Sequence, residues 1–145
     1  MRKILKLITP ILAILILFTA CSKEKTKVYI STGDTAEIQA TVYYKGDTVN
    51  KMITVIILSD IGDDINAEVE YQKKILENNN NNYGHTFTVE GKNGKIYITR
   101  ETDYTKIDFN IFKSKYNITE NSLEEFRKLS TVEKHLADTG HKEKK

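Results

Sequence analysis

The sequence predicts an α+β domain: an antiparallel β-sheet of about five strands in hairpins, packed with one central amphipathic helix and short C-terminal helices. Three observations carry this. Strand-forming runs alternate with period two between short Gly, Asn and Asp turns; one central stretch switches to a period near 3.6; and two patterns of the form Asn/Ser-x-x-Glu stand close together near the end. The chain has 145 residues, 39% of them hydrophobic. That is the size of one domain, able to bury roughly two-thirds of its unfolded surface without disulfides or metal.

The first element is a leader. Arg2, Lys3 and Lys6 precede Leu7 to Ala20, a stretch without any charge. Basic residues stay on the cytoplasmic side while an apolar segment enters the translocation machinery. A spanning helix needs about 20 apolar residues, so this shorter run reads as the core of a signal peptide, residues 1–20. Phe18-Thr19-Ala20-Cys21 resembles the bacterial lipobox, with Phe18 where Leu is usual. In such signals the cysteine sulfur receives a diacylglyceryl group, and cleavage leaves that cysteine as the new amino terminus. Two other readings compete: an ordinary thiol after a normal cleavage site, and an uncleaved anchor. Cys21 is the only cysteine, so it has no disulfide partner within the chain, and an exposed unpaired thiol in an exported protein is a liability unless capped. Lipidation of Cys21 is the expectation. Two acyl chains hold a protein on a membrane where one alone gives marginal binding. Residues 21–26, Cys-Ser-Lys-Glu-Lys-Thr, form a polar tether spanning at most ~20 Å, and 27–145 the domain.

Along the domain, Lys27 to Ser31 is a first strand. Ile38, Ala40, Val42 and Tyr44 alternate with Glu37, Gln39, Thr41 and Tyr43 in a half-buried second strand, and Thr48 to Leu58 is a third. Gly33-Asp34-Thr35 and Gly46-Asp47-Thr48 make the two turns between them. Val55 to Leu58 is apolar on both sides, which predicts a central strand covered on both faces. Asp60, Asp63 and Asp64 suit a helix N-terminus, after which Ile65, Val69, Gln72 and Leu76 share one helical face expected to pack on the sheet. Asn78 to Asn82 reads as a helix stop and solvated loop. Thr86 to Glu90 and Lys95 to Arg100 flank Asn93-Gly94, a type I′ hairpin with Phe87, Val89, Ile96 and Ile98 on one face. Tyr104, Ile107, Phe109 and Phe112 lead into a short irregular or helical stretch. Asn121-x-x-Glu124 and Ser130-x-x-Glu133 resemble capping boxes of two helices, the first lined by Leu123, Phe126 and Leu129, the second by Val132 and Leu136. Gly140 caps the last helix, and 141–145 read as a frayed, solvated tail.

With the lipobox in place, Tyr43-Tyr44-Lys45-Gly46-Asp47-x-Val49 on an early hairpin resembles the YehR-like family of small bacterial lipoproteins. Ile107-Asp108-Phe109 after the later hairpin does too, as does a closing helix that runs out at Gly140 before a Lys-rich end. The family usually places an aromatic where this chain has His141. The resemblance covers most of the mature chain. It implies a lipid-anchored envelope protein, transfers one functional residue, Cys21, and carries no biochemical activity.

Composition and motifs narrow the chemistry. Three of the 22 basic residues lie in the leader, leaving 19 against 20 acidic in the rest, so no excess positive charge is available for nucleic acid. No nucleophile elbow or phosphate-cradling loop is present, and no cofactor is implied. His135, Asp138 and His141, spaced by three, are the nearest approach to a metal set, but Gly140 interrupts the helix between them, so no metal site is expected. His85, His135 and His141 would be the natural participants of an enzyme assembled from distant residues. Tyr43 and Tyr97, outward on their strands, are the candidate ligand-binding residues of a sugar or peptide groove. The leading expectation is a non-catalytic binding or interaction domain on the extracytoplasmic face of the membrane, its protein or small-molecule partner open. Heavy use of Asn, Lys and Ile favours an AT-rich Gram-positive host, where the anchor would sit in the outer leaflet of the cytoplasmic membrane.

Overall fold

A computed structural model describes residues 23–79 and 84–145; the leader, Cys21 and 80–83 lie outside the described residues. Six antiparallel strands form one sheet in the order β4-β5-β3-β2-β1-β6: β1 Lys25–Thr32, β2 Ala36–Lys45, β3 Thr48–Leu58, β4 His85–Lys92, β5 Lys95–Asp103 and β6 Lys142–Glu143. Helix α1, Ile65–Asn79, joins β3 to β4; α2 Phe109–Tyr116, α3 Leu123–Phe126 and α4 Leu129–Asp138 follow β5. The α+β prediction is met. None of the described helices is long and apolar enough to cross a membrane.

Register sets what each face carries. Tyr29, Ala40, Thr54, Ile98 and Val89 fall on one side, and the four helices gather over it. Val28, Ile53, Val55 and Ile57 point the other way and are half-buried. Helical cover on both faces of β3 was expected from its apolar run and is not what the chain does: one-sided cover leaves the odd-numbered residues half open to water. A bulge supplies the key correction to the alternation. Between Tyr43 and Tyr44 the pairing shifts, so that Tyr43 faces Lys51 but Tyr44 faces Val49. Asn50 becomes the extra residue, and Val49 turns onto the helix-covered side, where it is fully buried.

Both early turns and the Asn93-Gly94 hairpin form as expected, with φ of 54° and 74° at the two type I′ positions. Asp64 Oδ1 accepts the Ala67 amide at the start of α1, and Ile65 and Val69 lie against Gly91 of β4, where even a methyl group would meet them. Asp108 caps α2 by accepting from the Asn110 and Ile111 amides.

The C-terminal segment departs from expectation in three places. Ser122, not Asn121, caps α3, its hydroxyl accepting the Glu125 amide, and α3 is a single turn ending at Phe126. Lys128 opens α4 with no side-chain cap, its ammonium having no acceptor to offer, and Glu133 serves elsewhere: its Oε1 accepts from Lys27 Nζ at 2.5 Å and from Tyr29 Oη at 2.7 Å. The tail is not frayed throughout. Gly140, at φ +82°, turns the chain so that Lys142–Glu143 pairs with Tyr29 and Ile30 as β6, and the Lys144 amide donates to Val28 O at 2.8 Å. At the other end, β1 starts at Lys25, two residues inside the segment read as tether.

Candidate functional site

Between the helix-covered face and the helices lies an open cleft of about 740 Å³. Its floor is the middle of the sheet: Ile38 and Ala40 of β2, Met52, Thr54 and Ile56 of β3, and the inward residues of β5. Gln72 and Leu76 of α1 form one wall, while Phe112 and Tyr116 of α2 with Val132 and Leu136 of α4 form the other. The second wall is a stack of rings, with Phe112 centroids 4.6 Å from Tyr116 and 5.6 Å from Phe126. The volume lies within the roughly 300–1,000 Å³ of small-molecule sites, and the lining is mostly apolar.

Arg100 is the one lining residue with a permanent charge. Arg100 follows Ile96 and Ile98 on the inward side of β5. Its Nε is buried with no hydrogen-bond partner, and no carboxylate pairs with it among the described residues. His85 stands beside Thr102 across the β4–β5 pair, its Nδ1 2.9 Å from Thr102 Oγ1, while its Nε2 is buried without a partner. Burial pushes the imidazole down to about 4, and the charges of Arg100 and Lys115 add to that, so His85 is neutral at pH 7. His141 keeps Nδ1 on Thr139 Oγ1 at 3.0 Å and leaves Nε2 buried and unmatched. His135 holds Glu120 Oε1 through Nε2 at 3.0 Å. No lining residue is acidic.

All three histidines of the chain therefore line one cleft, although they come from β4, α4 and the turn before β6. Among the described residues, no three His, Cys, Asp or Glu side chains stand close enough together to hold a metal ion. Tyr43 and Tyr97 stand elsewhere. Both are half-buried on the uncovered face, opposite Lys51 and Ile57 of β3, six residues apart along that strand and thus ~20 Å from one another. The Lys51 ammonium lies 4.7 Å from the Tyr43 ring centre. Neither tyrosine lines the cleft. Arg100 is the charged lining residue that sequence reasoning did not single out as a site residue. The signal was available for Arg100: a charge at an inward position of the clearest hairpin, in line with Ile96 and Ile98.

A six-stranded antiparallel sheet with helices over one face, built from three hairpins and two helical connections, is a fold already known. It is the YehR-like fold: the NMR structure of the E. coli YehR protein superposes with a TM-score of 0.68 at 19% identity, covering 84% of this chain and 91% of that one. An NMR structure of a protein from Streptococcus pneumoniae TIGR4 is also similar, with a TM-score of 0.55 at 15% identity over 84% of this chain and 86% of that one. No family model and no curated protein matches the chain.

Proposed function

We propose that this chain is a lipid-anchored protein of the bacterial envelope, tethered through acylated Cys21, whose domain binds an apolar small molecule in the cleft without catalysis. The observation that carries the binding part is the cleft itself: about 740 Å³, open, floored by Ile38, Ile56 and Ile98 and bordered by unmatched basic groups. The anchor rests on the basic leader, the uncharged stretch and the small residues before Cys21. Its geometry is consistent with the fold, since only three residues lie between Cys21 and the start of β1, a span of about 14 Å when extended. The domain would then sit against the outer membrane surface, within reach of lipophilic compounds that leave it.

Cys21→Ser tests the anchor. The expected result is a block in processing, with the leader retained on the accumulating chain; normal processing with unchanged membrane partition would overturn the reading. N-phenyl-1-naphthylamine tests the cleft, with one-to-one binding and blue-shifted emission expected for the wild-type chain and loss of both in Ile56→Glu. Identical binding by the two would remove the cleft as the site.

A further inference from the structure

We infer that the cleft takes a long-chain carboxylate: an unbranched apolar tail on the sheet floor, and an anionic head on Arg100 and His85. This deepens the proposed binding role and rests on it. The charge pattern points to an anionic head, because Arg100 is the one lining residue with a permanent charge and no lining residue is acidic. Arg100 is the anchor of the argument. The guanidinium is half-buried on the inward face of the sheet beside Phe87 and Ile98, its Nε is shut from water without a partner, and no carboxylate of the described chain pairs with it. Its planar fork fits a carboxylate through two parallel hydrogen bonds.

His85 supplies the second contact. In the tautomer whose Nδ1 accepts from the Thr102 hydroxyl, the proton of the neutral ring sits on Nε2, the buried atom that has no partner. That N–H donates to the head without bringing a second positive charge beside Arg100. The tail then runs over Ile98, Ile56 and Ile38, three successive strands at one level of the sheet, with Leu76 of α1 at its flank. A sugar or a peptide would leave most of this surface without polar partners, whereas an alkyl chain asks for none.

The test uses the full chain in phosphatidylcholine nanodiscs, photolysed with a diazirine-bearing hexadecanoate or the matching hexadecanol, labelled peptides being mapped by mass spectrometry. Hexadecanoate should label the β4–β5 hairpin and the segment 112–126. Unlabelled hexadecanoate should displace it at least tenfold more effectively than hexadecanol. Arg100→Gln should weaken labelling by about tenfold to hundredfold, and Arg100→Lys by less. Equal displacement by acid and alcohol would overturn the carboxylate assignment while leaving the cleft as a binding site. No labelling of these segments by either probe would overturn the cleft itself. The acid-to-alcohol comparison needs only the wild-type chain, so it decides the matter even where Arg100→Gln does not fold.

Discussion

Glu133 joins the last helix to the first strand through Lys27 and Tyr29. Burial raises its pKa, but hydrogen bonds from the ammonium and the phenol outweigh that and hold the carboxyl below its ordinary value. The bridge therefore contributes stability above pH ~4.5, where the unfolded carboxyl is ionised, and loses it as pH falls through the folded value. Glu133→Gln should cost about 1–2 kcal/mol in urea unfolding at pH 7 and progressively less as pH falls below ~4.5. His85 works in the neighbouring window. Its folded value near 4 lies below the ordinary 6.5, so the unfolded chain takes up the proton first and stability falls as pH drops from about 6.5 toward 4. An NMR titration of the three imidazoles should place the His85 midpoint near 4; a midpoint near 6.5 would mean that the ring is solvated and the cleft geometry wrong. Residue roles were unevenly legible in the sequence. Alternation already placed Arg100 inward, but a lone inward charge gains meaning only when the fold shows that no acid reaches it. Glu133 resembled a cap because Ser130 stands three residues before it, and its true partners are over a hundred residues away in sequence.

The later hairpin and α1, whose signals are local, formed where the sequence placed them. Two positive-φ residues fix the Asn93-Gly94 hairpin, and one apolar face seats α1. The bulge at Asn50 and the strand β6 depend on pairing with distant segments. Asn50 O accepts the Tyr104 amide and its side chain accepts from Arg127, contacts that no local pattern encodes. Two residues make a strand at 142–143 only because Gly140 aims them at the free edge of β1. Gly84 shows a tertiary demand of the same kind where β4 begins. It has φ +86°, and a Cβ there would lie 2.4 Å from Ile107 Cγ2 and 3.1 Å from the Ile107 backbone. Gly84→Ala should lower stability by about 2–4 kcal/mol in thermal or urea melts, combining left-handed strain with overpacking. An effect within about 0.5 kcal/mol would show that the approach of Ile107 to β4 is not tight.

At the scale of the molecule, the layering is what gives the chain a site. Helices on one face only, divided between α1 at one side and α2 to α4 at the other, leave a gap above the central strands. The apolar run Val55 to Leu58 announced a central strand and, wrongly, cover on both of its faces, since a pattern apolar on both sides looks the same with one helical layer or two. The proposed anchor rests on a short linear signal around Cys21, the kind that membrane insertion and lipidation read without reference to a fold. The two halves of the account meet at Cys21, which would fix an apolar-lined cleft beside a source of apolar ligands. Mass spectrometry of the N-terminal peptide from protein extracted out of membranes is the direct test. The account predicts a chain beginning at Cys21 with a diacylglyceryl thioether on its sulfur; a free Cys21 thiol, or a chain still beginning at Met1, would contradict it.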